Sequence, residues 1–75
     1  MDYYRFNSYP VKARMAWVQK ILDIPVTGLR DKATIKALSK FQKENSLAGN
    51  AVVDEETFRL LYNRGGSKIN MRKEK

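Results

Sequence analysis

The residues with the clearest capacity for chemistry are three consecutive acids, Asp54, Glu55 and Glu56, which form the main acidic cluster of the sequence. Paired carboxylates that cleave a glycoside face each other across the bound sugar at about 5 to 10 Å. Neighbouring acids at the start of one helix do not enclose such a cleft, and they already stabilise the positive end of the helix dipole. The acidic cluster therefore predicts a helix start rather than a catalytic site.

Two residue types that carry much enzyme chemistry are missing, because the chain contains neither His nor Cys. Their absence removes imidazole acid–base catalysis, thiolate nucleophiles, disulfides, and metal sites built on thiolate or imidazole ligands. We therefore expect a protein that is not an enzyme and that uses no cofactor and no metal.

Basic residues are in excess: fifteen Lys and Arg against eight Asp and Glu give a net charge of +7. This charge predicts attraction to polyanions such as nucleic acid, anionic cell-wall polymers or lipid head groups. The candidate polyanion-binding residues are a lysine stripe at steps of four, four and three, and the basic end of the chain: Lys32, Lys36, Lys40 and Lys43, with Lys68, Arg72 and Lys73. A solvated helix face is the alternative interpretation of the stripe, because lysine is common on exposed helix surfaces.

A chain of 75 residues predicts one small domain without a deep catalytic cleft. We divide it into an aromatic N-terminal arm over residues 1–9, a helical domain over 10–63, and a basic flexible tail over 64–75. The first residues do not resemble a secretory signal, and no segment approaches the ~20 apolar residues of a membrane span. The expected location is the cytoplasm at synthesis, with the virion or the cell wall reached after lysis.

The elements that must position any site follow from a short pattern that occurs twice. The first copy is Gly28, Asp31, Thr34 and Leu38, and the second, with the same spacing, is Ala51, Asp54, Thr57 and Leu61. An Asp before a helical run accepts hydrogen bonds from the free N–H groups of the first turn, and a Thr three residues later can return a hydroxyl contact. The repeat therefore predicts a turn that leads into a capped helix, two times.

Three helices are predicted. Pro10 begins the first, with Val11, Met15, Val18 and Leu22 along its apolar stripe and Trp17 at the margin of the core. Asp31 begins the second, about Lys32 to Asn45, and Asp54 begins the third, which ends at Gly65 and Gly66. The predicted fold class is all-α, a small three-helix bundle whose central side chains are Val18, Leu22, Leu38, Phe41 and Leu61.

The N-terminal arm is rich in aromatic residues: Tyr3, Tyr4, Phe6 and Tyr9. We expect these rings to pack across the bundle, because large aromatic side chains are usually buried. An exposed stacking surface and a disordered leader are the alternatives. Ile35 does not share the inner face of the second helix, and it is either an exposed apolar residue or a contact to the arm.

Taken together, these motifs resemble a known family. The residues that carry the likeness are Val18-Gln19 with Leu22, then Val26-Thr27-Gly28, Asp31, Ala33-Thr34, Ala37-Leu38, Phe41-Gln42, Asn45 and Leu47, then Val53-Asp54, Thr57-Phe58 and Leu61. Over about Val11 to Tyr62 the chain resembles the three-helix peptidoglycan-binding domain (PGBD-like) that accompanies catalytic domains in cell-wall hydrolases and phage endolysins. The resemblance implies a non-catalytic module that holds an attached enzyme on the murein sugar or stem peptide. Ala51 stands where the family usually has Gly, which allows a reshaped second turn.

Three functions from different classes remain open. The first is a peptidoglycan or cell-wall binding module, for which a phage or prophage origin is one option. Its ligand would lie in a shallow groove between helices lined by Arg14, Trp17, Arg30, Arg59 and Tyr62. The second is a small basic nucleic-acid-binding or regulatory protein that uses the lysine stripe and the tail. The third is a protein-interaction adaptor or inhibitor of phage type, in which the aromatic arm and exposed apolar residues form the interface with a host or phage protein.

Overall fold

The computed structural model describes residues 1–69, and all of their regular structure is helical. The helices in chain order are α1 (Tyr3–Ser8), α2 (Val11–Ile21), α3 (Lys32–Glu44) and α4 (Glu55–Arg64), followed by a short 3-10 helix at Gly66–Lys68. The described part of the chain is therefore a small all-α bundle. None of its helices has both the length and the apolar character that crossing a bilayer requires.

Both predicted helix caps are confirmed. The Asp31 carboxylate accepts a hydrogen bond from the Thr34 backbone N–H at 3.0 Å, and Asp54 accepts one from the Thr57 N–H at 2.9 Å. Each bond satisfies an N–H group in the first turn that has no partner within the helix. The helices α3 and α4 therefore begin where the repeat predicts, and Gly65 forms the C-cap of α4.

The core lies where α1, α2, α3 and α4 meet, and it contains Phe6, Trp17, Val18, Ile21, Leu38, Phe41, Ala51, Phe58 and Leu61. Of the five predicted central side chains, four are buried, and Leu22 is partly buried and packs against the cluster. Val11 does not belong to the apolar stripe as predicted, since it is 54% exposed. It is the first residue of α2, and burial along this helix begins only at Ala13.

The expected position of Trp17 at the margin of the core is wrong. The indole is 1% exposed and packs against the rings of Phe6 and Phe58, with centroid distances of 5.2 and 5.5 Å. Its Nε1–H donates to the Gly66 carbonyl at 3.4 Å. A Cβ atom at Gly66 would come within 2.2 Å of the indole ring. The backbone after α4 can therefore lie directly against Trp17 only because residue 66 is a glycine.

The segment after α4 therefore differs from the flexible tail predicted over residues 64–75. Arg64 is the last residue of α4, Gly66 is buried, and Ile69 packs against the core. Burial of the large apolar surface of Trp17 stabilises this arrangement. The remaining tail, with the predicted polyanion-binding residues Arg72 and Lys73, lies outside the described residues.

The N-terminal arm contains the helix α1, which packs on α4. Two of its four aromatic residues, Tyr3 and Phe6, pack against the bundle as expected. Asp2 caps α1 by accepting a hydrogen bond from the Arg5 N–H at 2.8 Å. Phe6 is fully buried, and the Tyr3 hydroxyl donates to the Val53 carbonyl at 3.3 Å. Tyr4 and Tyr9 do not pack as expected, because Tyr4 is 87% exposed and the partly exposed Tyr9 lies outside the core cluster. Ile35 is an exposed apolar residue, the first of its two predicted alternatives.

Candidate functional site

The connection between α2 and α3 is organised by the buried side chain of Gln19. Its Oε1 accepts hydrogen bonds from the backbone N–H groups of Thr27 and Gly28 at 2.9 and 3.0 Å. Its Nε2 lies 2.7 to 3.0 Å from three acceptors: Thr27 Oγ1, the Leu29 carbonyl and Thr34 Oγ1. The amide of Gln19 thus joins α2 to the turn at residues 27–29 and to Thr34 in the first turn of α3. It can do so because an amide group offers both donors and acceptors.

The same network occurs again between α3 and α4, centred on Gln42. Its Oε1 accepts from the Ala51 N–H at 2.8 Å, and its Nε2 donates to the Val52 carbonyl at 2.8 Å and to Thr57 Oγ1 at 3.0 Å. Asn50 Oδ1 replaces the Thr27 hydroxyl, at 3.3 Å from Nε2. Each residue of this second network stands 23 positions after its counterpart, as Gln42 does after Gln19.

The duplication extends to the backbone. Gly28 and Ala51 occupy equivalent positions, and both have positive φ, of 73° and 58°. The second turn is therefore not reshaped by the alanine; Ala51 adopts the left-handed conformation that its glycine counterpart adopts more easily. Asp23 and Ser46, which follow α2 and α3, are a second equivalent pair with positive φ, of 58° and 63°.

The two capping carboxylates are tuned by the same contacts. Hydrogen bonds from the Thr34 hydroxyl and then from its backbone N–H lower the pKa of Asp31 below its ordinary value of 3.8, and the Thr27 hydroxyl adds to the effect. The hydroxyl and N–H of Thr57 likewise lower the pKa of Asp54. Both effects follow because these donors stabilise the ionised carboxylate. Both carboxylates are therefore held in the ionised form by the residues that they cap.

A cleft of about 350 Å³ lies between α4 and the N-terminal arm, and we call it the tyrosine cleft. Its lining residues are Met1, Asp2, Tyr3, Glu55, Phe58, Arg59, Tyr62 and Asn63. Phe58 lies at its base, 6.0 Å from the Tyr3 ring and 5.8 Å from the Tyr62 ring. Arg59 bonds Glu55 through Nη2 at 3.1 Å, and both side chains are mostly exposed. The cleft combines aromatic surface with an accessible guanidinium group.

Of the five residues predicted to line one groove, the structure brings only Arg59 and Tyr62 together. Arg14 donates through Nε to the Tyr9 carbonyl at 2.9 Å, and Arg30 donates through Nη1 to the Ala51 carbonyl. Neither lines the tyrosine cleft, and Trp17 is in the core. The predicted groove with these five residues is therefore not formed. Both arginines instead hold backbone carbonyls of chain connections.

The other residues of the tyrosine cleft were not predicted as site residues. Glu55 follows from helix periodicity, because residues 55, 59 and 62 of α4 lie on one face at steps of four and three. Tyr3 had no such signal, since its position depends on how α1 docks against α4. Gln19 and Gln42 could have been identified from the sequence, because they are separated by the same 23 residues as the two copies of the repeat. They lie before the four residues by which the repeat was defined.

A second cleft of about 350 Å³ is lined by Leu22, Ile24, Ala37, Lys40, Phe41, Glu44 and Arg64. The Arg64 guanidinium lies over the Phe41 ring, 5.5 Å from its centroid. All four lysines of the lysine stripe are exposed, and Lys40 reaches this cleft. The predicted polyanion-binding residue Lys68 is also exposed, in the 3-10 helix.

No group of three or more carboxylates with the geometry to hold a metal ion occurs within residues 1–69. The two clefts within residues 1–69 present aromatic rings and cations. Comparisons of the chain with protein-family models, with curated proteins and with solved structures found no significant match.

Proposed function

We propose that this domain is a non-catalytic binding module for peptidoglycan and that the tyrosine cleft holds its ligand. The sequence resemblance to PGBD-like modules supports the proposal, and the spatial pairing of Arg59 with Tyr62 is the observation that carries it. These are the two residues of the predicted groove that share one cleft.

The chemistry of the cleft matches the two components of peptidoglycan. Sugar rings present apolar C–H faces that pack on aromatic side chains, and Tyr3 and Tyr62 offer such surfaces. The Tyr62 hydroxyl can also donate to the ligand, whereas the Tyr3 hydroxyl already donates to the Val53 carbonyl. Stem peptides carry carboxylates, which arginine binds through a planar fork of donors. The present partner of Arg59 is Glu55 in an exposed pair, which contributes little stability and exchanges readily for a ligand carboxylate.

Sedimentation with purified murein sacculi at moderate salt tests the proposal. We expect the wild-type protein in the pellet, and we expect Arg59→Gln and Tyr62→Leu each to weaken binding about five- to tenfold, from the loss of about 1 to 1.4 kcal/mol. Lys20→Gln on α2 is the matched control, since it changes net charge as Arg59→Gln does but lies outside the cleft. A wild-type protein left wholly in the supernatant contradicts the proposal, as does an equal loss in the control.

A further inference from the structure

The exposed face of α3 carries an unusual concentration of positive charge. At about 100° of rotation per residue, Lys32, Lys36, Lys40 and Lys43 fall within an arc of about 80° and extend over about 16 Å of helix. The buried residues Thr34, Leu38, Phe41 and Gln42 occupy the opposite side. The bundle therefore presents the lysine stripe outward along the full length of this helix.

This charge is not neutralised by the protein itself. Within residues 1–69 the one ion pair joins Arg59 to Glu55 on α4, so none of the four lysines is paired with a carboxylate there. Glu44 is the single acidic residue of α3 and stands at its last position. At the same end Lys40 shares a cleft with Glu44 and with Arg64, which adds a fifth cation, so the charge of this cleft remains positive.

One lysine of the stripe, Lys43, has its aliphatic stem positioned by a neighbouring turn. The stem of Lys43 crosses the backbone at Gly49, where an added Cβ would meet its Cε at 2.7 Å. Such packing of the aliphatic stem leaves the ammonium group at the surface. The arc contains lysines alone, and an ammonium group on a flexible stem is a point charge that suits phosphate contact rather than bidentate recognition of a base edge.

We propose that this face binds the phosphodiester backbone of a nucleic acid without reading its sequence. A segment of duplex as long as the stripe, about 16 Å, carries about ten phosphate charges, because duplex DNA has one charge per ~1.7 Å. The lysines contact the phosphates on the side of the duplex that faces the stripe, and each contact releases condensed counterions. This activity is independent of the tyrosine cleft and of peptidoglycan binding.

The test is a titration of the full chain against a fluorescent 20-base-pair duplex at salt concentrations from 50 to 200 mM. We expect Lys36→Gln/Lys40→Gln to make the slope of log K against log salt shallower by about 1.8, since each phosphate contact contributes about 0.9. Between the two salt limits this difference amounts to about a tenfold change in affinity. Lys12→Gln/Lys20→Gln on α2 removes the same charge from another helix, and its slope stays at the wild-type value.

Three results would overturn the proposal. The first is no binding at 50 mM salt. The second is an equal loss of slope in both double variants, which would show that net charge rather than the α3 face determines binding. The third is displacement of the duplex by polyglutamate at equal charge concentration, since an extended polypeptide carries about one charge per 3.5 Å and releases fewer counterions than the duplex. A circular dichroism spectrum of each variant identical to that of the wild type excludes unfolding as the cause.

Discussion

Replacing Gln42 by Met tests whether a buried amide holds the connection between α3 and α4. The two side chains are similar in length and in helix propensity, so the substitution removes the hydrogen bonds with little change in shape. The Ala51 N–H then loses its acceptor in a buried position, and the Val52 carbonyl and the Thr57 hydroxyl lose a donor.

The expected cost is about 3 kcal/mol. A buried group left without a partner costs about 1 to 3 kcal/mol, and we assign about 2 to the Ala51 N–H. The other two groups cost less, because Val52 is exposed and the buried Thr57 hydroxyl keeps its hydrogen bond to Asp54. Domains of 75 residues have a total stability of about 4 to 11 kcal/mol. The loss corresponds to a decrease in Tm of about 12 to 24 °C.

The assay is urea and thermal unfolding followed by circular dichroism. Lys36→Met, which introduces the same residue at an exposed position of α3, is the control and should change the free energy of unfolding by less than about 0.5 kcal/mol. Gln19→Met should cost more than Gln42→Met, because Gln19 accepts two backbone N–H groups and Gln42 accepts one. A Gln42→Met variant within about 0.5 kcal/mol of the wild type would refute the reasoning.

Three further predictions concern the turns, the caps and the end of the fold. Gly28→Ala should destabilise by about 1 to 2 kcal/mol in urea unfolding, because it introduces a side chain at positive φ and forces Lys12 to move; an unchanged midpoint contradicts this. The lowered pKa of Asp54 contributes stability that is present above pH 4 and is lost as the pH falls through the lowered value. The free energy of unfolding of Asp54→Asn should therefore fall less steeply than that of the wild type between pH 4 and 2, and parallel curves would count against the cap. Gly66→Ala should cost about 1 to 3 kcal/mol and shift the fluorescence of Trp17, since the new methyl overlaps its ring; a wild-type emission spectrum would exclude this contact.

The helix starts were predictable from sequence because capping is local. Asp31 and Asp54 act on N–H groups three residues away, so type and spacing suffice to identify them. The four buried residues of the predicted core also follow from helix periodicity, whereas Val11 shows that periodicity does not say where burial along a helix begins.

The position of Trp17 could not be predicted in the same way, because it depends on a segment about 50 residues later in the chain. The Gly66 backbone covers the indole, and no local sequence pattern around Trp17 or Gly66 predicts that contact. The tyrosine cleft depends similarly on the docking of α1 against α4. The roles of Gln19 and Gln42 lie between these cases, since their spacing is visible but their burial requires the closed fold.

Native-state hydrogen exchange of the two inter-helix connections tests most directly whether the duplicated glutamine network organises this domain. The backbone N–H groups of Gly28 and Ala51 lie outside the helices, yet both donate to a buried glutamine. We predict that they exchange as slowly as the amides of the buried helix turns, through global unfolding, while the exposed Ala48 exchanges rapidly. Rapid exchange at Gly28 and Ala51 in an otherwise protected domain would contradict the account.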